Sequence, residues 1–268
     1  MSKNIVITGL GWLGLPLARH LIGKGHLVKG SVTSLKKAAQ LQSNGIEAYP
    51  LLLSESGIDG NTAVLFKNAE YLIVNIPPGL RKNTGSNYVG KMSHFLAAIL
   101  KSDISKVILV SSTSVYSDEQ GAVTETDLPT PDSEAGKQLL AVEDLFFSSE
   151  EINCSIVRFG GLIGGNRQPV RYLAGRTDLN DARAPVNLIH RSDCIGILSE
   201  ILEQKAFGHI FNAVHPHHPL KNQYYVQKAK ALNLEPPQFS ESHSEVVYKK
   251  VDSENIEKIL NYRFQHTL

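Results

Sequence analysis

Near its start the chain runs Gly9-Leu10-Gly11-Trp12-Leu13-Gly14, and this G-x-G-x-x-G spacing has a direct chemical use. Gly9 makes a tight turn, Gly11 leaves room for the backbone to approach a diphosphate, and Gly14 lets the next helix pack closely on the preceding strand. The amides around Trp12 and Leu13, at the mouth of that helix, then face phosphate oxygens. Glycines so spaced also mark purely structural turns. Position favours dinucleotide binding: the β-branched run Asn4 to Thr8 comes just before, and the helix-forming Leu15 to Ile22 just after.

A second strand is expected over His26 to Val32, and a ribose-binding acid belongs near its end. None is there. The sequence reads Ser31-Val32-Thr33-Ser34-Leu35-Lys36-Lys37, and the first acidic residue of the chain is Glu47. An aspartate would repel a 2′-phosphate, whereas the hydroxyls of Thr33 and Ser34 followed by Lys36 would welcome one, so NADP is favoured over NAD. The plainer alternative is a pair of lysines solvated at a helix start. Four arginines, Arg158, Arg167, Arg171 and Arg176, could fork onto a substrate phosphate or carboxylate, although solvated arginines are the safer reading. The His215-Pro216-His217-His218-Pro219 cluster has no carboxylate or cysteine at a helpful spacing and reads as an exposed loop, so no metal site is expected.

These groups need a scaffold. Apolar runs at Tyr71 to Ile76, Val107 to Ser111, Ser155 to Phe159 and His209 to Val214 alternate with helix-compatible stretches at Tyr88 to Lys101 and Gly136 to Phe147. Such alternation predicts an α/β fold with a doubly wound parallel sheet of Rossmann type, covered on both faces. Ligands then lie beyond the carboxyl ends of the strands, which draws attention to Pro77-Pro78-Gly79, to Ser111 through Ser114, and to Gly160 through Gly165. Pro77 and Gly161 are accordingly expected at the cofactor. Residues 1–165 and 208–214 would form the dinucleotide-binding domain, and residues 166–207 and 215–268 a smaller substrate lobe over its mouth.

Bulk properties set limits. The 268 residues, 42% hydrophobic and 20% charged, suffice for one large domain with an attached lobe. With 27 basic against 26 acidic residues there is no general field for nucleic acid or an anionic membrane, and neither is expected as a partner. No apolar run approaches the length of a membrane span. Cys154 and Cys194 stand among apolar neighbours and read as reduced core thiols, which points to the cytoplasm.

Taken in order, Gly9 to Gly14, Val110-Ser111-Ser112-Thr113-Ser114-Val115-Tyr116, Lys137, Val157 through Gly164, and Asn187 through Asp193 resemble the extended short-chain dehydrogenase/reductases over nearly the whole chain. The opening GLGWLGLPLA and the SSTSVY segment are similar in particular to an atypical, YeeZ-like branch of that family. The opening also resembles β-hydroxyacid dehydrogenases, but the SSTSVY segment argues against them. The family resemblance implies that Ser112 is the active-site serine, holding or polarising a substrate oxygen. It also implies a tyrosine four residues before Lys137, yet Ser133 stands there. An aliphatic hydroxyl is far more basic than a phenol and its side chain is shorter, so Ser133 cannot take over that proton transfer unaided. Lys137 could still bind the cofactor ribose. Tyr116 is expected to pack and hydrogen-bond locally. His190 and Asp193 are expected near the pocket wall, or else as a locally bonded histidine and a helix cap.

Two functions remain open at this point. One is NAD(P)-dependent oxidation, reduction, epimerisation or dehydration of a small polar molecule, such as a nucleotide sugar. The other is a sensor or scaffold that binds the cofactor without turnover. A homodimer is a further expectation.

Overall fold

The computed structural model describes residues 1–79, 85–240 and 247–268. Strand and helix alternate from the first residues: β1 (Asn4–Thr8), α1 (Gly14–Gly23), β2 (Leu27–Val32), α2 (Leu35–Ser43) and β3 (Glu47–Pro50). A hairpin of β4 (Leu52–Ser54) and β5 (Gly57–Asp59) leads through α3 (Thr62–Phe66) to β6 (Tyr71–Val74) and α4 (Tyr88–Ile99). There follow β7 (Lys106–Ser112), β8 (Gly121–Val123), α5 (Glu134–Phe147), β9 (Asn153–Phe159), β10 (Gly161–Ile163) and β11 (Leu188–His190). The chain ends with α6 (Arg191–Gln204), β12 (Ile210–Ala213), α7 (Lys221–Ala231), β13 (Lys249–Val251) and α8 (Glu254–Lys258).

Seven strands form one parallel sheet in the order β12-β9-β7-β6-β1-β2-β3. From β1 the chain winds outward through β2 and β3, then crosses back to β6 and runs the other way. That reversal between β1 and β6 makes this a doubly wound Rossmann sheet, with its crevice where Thr8 pairs with Ser31 on one side and Val74 on the other. Short parallel pairs, β10 with β11 and β8 with β13, add the extra elements of the second half.

Both faces of the sheet are buried, which is why its strands read as continuous apolar runs. Alternate residues of β1 serve different cores: Ile5 and Ile7 pack with Leu17, Leu21, Ile197 and Ile201 of α1 and α6, while Val6 packs with Phe95 and Ile99 of α4. Helix α6 thus covers the sheet beside α1, although it falls within the 166–207 stretch expected to cap its mouth. The two cysteines lie in opposite cores, both buried and unbridged. Burial pushes the Cys154 thiol up to about 12 and that of Cys194 well above its ordinary range. Among the described residues no helix is long and apolar enough to cross a membrane.

Candidate functional site

The glycine turn sits on the tip of β1 and is fastened from both sides. The amide of Gly9 donates to Ser31 Oγ (3.3 Å), the amide of Leu10 donates to the Ser31 carbonyl (2.8 Å), and Asn75 Nδ2 donates to the Gly9 carbonyl (3.1 Å). Gly9 has φ +92°, a conformation that costs other residues strain, and a Cβ there would stand 2.3 Å from the Asn75 carbonyl oxygen. Gly14 is equally constrained, because its Cβ would meet the Gly9 carbonyl oxygen at 2.2 Å. Gly11 differs. It is exposed, and a Cβ built on it would find nothing within 4 Å. Leu13 begins α1 with no side-chain cap, and the first turn holds no acidic residue. The opening amides therefore offer an uncompensated positive end at the crevice, which suits a diphosphate.

At the end of β2, Ser34 Oγ accepts from the Lys37 amide as the cap of α2, while Thr33, Lys36 and Lys37 are exposed. The hydroxyl expected to meet a 2′-phosphate is thus the cap of a helix, with its own O–H left to donate. Pro77 is exposed just beyond β6.

At the tip of β7, Ser112 is half-buried and its Oγ accepts from the Ser114 amide (3.2 Å), which leaves its own O–H free to donate. Helix α5 is brought against this turn by Gly136, whose Cβ would stand 2.2 Å from the Ser114 carbonyl oxygen. Lys137 follows at once, exposed in the first turn of α5. Ser133 is the cap of that helix, with Oγ accepting from the Gly136 amide (3.1 Å). The position where the family pattern calls for tyrosine lies at the entrance of the helix, and its hydroxyl is engaged with backbone.

Beneath the tips lies a buried polar chain. Arg158 pairs with Glu143 (2.6 Å), Ser111 Oγ donates to the same carboxylate, and Arg158 Nη1 donates to Tyr116 Oη (2.7 Å). Tyr116 in turn donates to the Thr124 carbonyl (2.9 Å), with Asn212 Oδ1 at 3.1 Å as a second acceptor within reach. Burial raises the Tyr116 phenol, and the side chain is closed off from the crevice. Arg158, one of the four arginines singled out in the sequence, is therefore a core residue. Arg171 and Arg176 are exposed.

Thr113 and Gly161 share a cavity of ≈ 330 Å³ with Asn187, Tyr225, Tyr248 and Lys249. Lys249 Nζ donates to the Tyr116 carbonyl (2.7 Å) and pairs with Asp118 (2.9 Å), so the cavity is polar yet nearly charge-balanced. The larger cavity, ≈ 430 Å³, lies against α4 and holds none of the expected site residues.

His190 is the cap of α6, its Nδ1 accepting from the Ser192 amide (3.3 Å), and burial followed by the neighbouring His266 lowers its pKa. Asp193 is not the cap. It is fully buried and holds the last residues of the chain, its Oδ1 accepting from Tyr262 Oη (2.9 Å) and the Gln265 amide (2.7 Å). In the histidine cluster, His218 Nδ1 donates to the Val186 carbonyl (3.0 Å), while His215 and His217 sit edge to face. Sequence reasoning missed Ser31 and Asn75, which fasten the turn, and Arg191, which lies over the Trp12 ring at 4.9 Å. Arg191 stands beside His190 in sequence, but no local spacing announces its reach to a turn 179 residues away.

No family model matches the chain. Comparison with known proteins nevertheless defines its class. Protein YeeZ of Escherichia coli K12 is 35% identical over 266 residues, covering 98% of this chain and 96% of that protein. A UDP-glucuronic acid 4-epimerase from Bacillus cereus, solved with UDP-glucuronic acid and NAD, superimposes with a TM-score of 0.79 at 20% identity, covering 99% of this chain and 95% of the other. A short-chain dehydrogenase/reductase superfamily protein from Agrobacterium tumefaciens with bound NAD gives 0.76 at 18%, covering 99% and 93%. The chain belongs to the family of Protein YeeZ, and it shares its fold with solved short-chain dehydrogenase/reductase and nucleotide-sugar epimerase structures. The expectation of NADP is corrected by these findings: the solved neighbours hold NAD, and here Ser34 is a helix cap beside solvated lysines.

Proposed function

We propose that the chain binds NAD across the carboxyl edge of its sheet and serves an oxidoreductase or epimerase/dehydratase-like reaction on a small polar substrate, with a nucleotide sugar as the fitting class. In this reading it is an extended short-chain dehydrogenase/reductase of the atypical, YeeZ-like branch, on the strength of the full-length similarity and of Ser133 in place of tyrosine. The observation that carries this reading is Gly11. Gly9 and Gly14 are required by the turn itself, whereas Gly11 faces open space and has no internal steric reason to be glycine. A bound diphosphate supplies that reason.

In this reading the amides at Trp12 and Leu13 receive the diphosphate, and Pro77 and Gly161 border the nicotinamide half. Bound NAD supplies a hydride acceptor. Ser112 donates its free O–H to a substrate oxygen, and Lys137 holds the ribose hydroxyls. Residues 1–165 and 208–214, joined by α6, carry the cofactor, while the remainder shapes the cavity of Thr113, Asn187 and Tyr225.

The test is a pair of variants. Gly11→Ala is expected to keep its unfolding free energy within about 0.5 kcal/mol of the parent and to weaken NAD binding about tenfold or more. Ser112→Ala is expected to bind NAD as the parent does and to lose turnover of nucleotide-sugar substrates. Unaltered NAD affinity in Gly11→Ala, measured by calorimetry, would overturn the cofactor assignment. A second reading, an NAD-responsive sensor or scaffold without turnover, is favoured by the engagement of Ser133 as a helix cap. NAD binding with no turnover of any nucleotide sugar, together with a partner whose affinity differs between NAD and NADH, would select it.

A further inference from the structure

The Trp12 ring, inside the glycine turn, carries two guanidinium groups. Arg191 Cζ lies 4.9 Å and Arg167 Cζ 5.4 Å from its centre, both within cation–π range. Neither arginine is placed loosely. The backbone of Arg167 exchanges two hydrogen bonds with Gly164, each 3.1 Å. Arg191 is the first residue of α6, directly after the capping His190, and its Nη1 reaches the Trp12 carbonyl at 3.5 Å. Gly165, at φ +57°, makes room for it: a Cβ there would stand 3.0 Å from Arg191 Nη2. Among the described residues no carboxylate lies within 4.0 Å of either guanidinium.

Two unneutralised guanidiniums beside an uncapped helix entrance make a strongly positive corner, and the ring between them holds both without using up their N–H donors. From this geometry we infer that Arg167 and Arg191 form a clamp that closes on the diphosphate of the dinucleotide from the side opposite the glycine turn. The inference rests on the cofactor reading above and adds to it residues from the second half of the chain. Each guanidinium presents a fork of donors to phosphate oxygens, and Trp12 sets the position of both. Loading the cofactor would thereby tie the loop after β10 and the start of α6 to the tip of β1.

Trp12 is the sole tryptophan of the sequence, so intrinsic fluorescence reports on the clamp itself. Full-length parent, Arg167→Ala, Arg191→Ala, the double variant and Arg171→Ala as a control are titrated with NAD and with adenosine. Each clamp variant is expected to weaken NAD binding about tenfold and the double variant about a hundredfold, with adenosine affinity and Arg171→Ala unchanged. Arg191→Lys keeps the charge without the fork and is expected to weaken NAD severalfold, which serves if a truncation fails to fold. A parent that binds NAD and a double variant within about twofold of it would overturn the clamp and leave the cofactor reading standing. A parent that does not bind NAD would overturn both.

Discussion

Glu143 and Arg158 show how a residue can matter to a site it never touches. Their side chains are 2% and 3% exposed, so each charge is tolerable in the core only because the other is present. Replacing Glu143 with Ala strands the guanidinium and also removes the acceptor of Ser111 Oγ. The expected cost is about 3–5 kcal/mol in chemical denaturation, far above that of an exposed ion pair. From sequence alone Arg158 could equally be a substrate ligand, because a guanidinium in β9 carries no sign of what opposes it on α5. The glycine turn was legible for the opposite reason. Its chemistry is local, and six consecutive residues specify both the bend and the opening that follows it.

Among the elements, the main strands and helices could be read because apolar runs of four to seven residues alternate with longer helical stretches. The edge strand β3 and the three-residue strands β4, β5, β8, β10, β11 and β13 were not legible, since so short a segment has too little periodicity to stand apart from loop. The placement of α6 was not legible either. What fixes it is tertiary: Gly196 admits Tyr262, whose Oη would lie only 2.4 Å from a Cβ at that position, and Asp193 receives the same hydroxyl. Asp193→Ala leaves Tyr262 and the Gln265 amide without their acceptor. A loss of about 1–3 kcal/mol is expected, with faster hydrogen exchange at Gln265 as the local readout.

For the molecule as a whole, the end of the sheet opposite the glycine turn has its own electrostatic fastening. Glu203 of α6 meets Lys3 (2.8 Å) before β1 and His26 (2.7 Å) before β2. The Lys3 hydrogen bond, ahead of that from His26, holds its carboxyl down at about 2 from an ordinary 4.5. A carboxylate more acidic in the folded than in the unfolded chain stabilises the fold above pH 4.5, and this contribution drains away as the pH falls toward 2. Glu203→Gln is expected to lower stability at neutral pH and to flatten its decline over that interval, leaving NAD affinity at the far end of the sheet unaltered. Thermal unfolding followed across the acid range checks both.

The two thiols, sealed in separate cores on either side of the sheet, give the folded chain no accessible thiol nucleophile, so thiol-selective reagents find nothing to attack while it stays closed. Such reagents must wait for the structure to open. Their rate of reaction would keep time with unfolding, and, because each sulfur lies under a different layer of helices, the two rates would tell whether those layers come apart together or in turn.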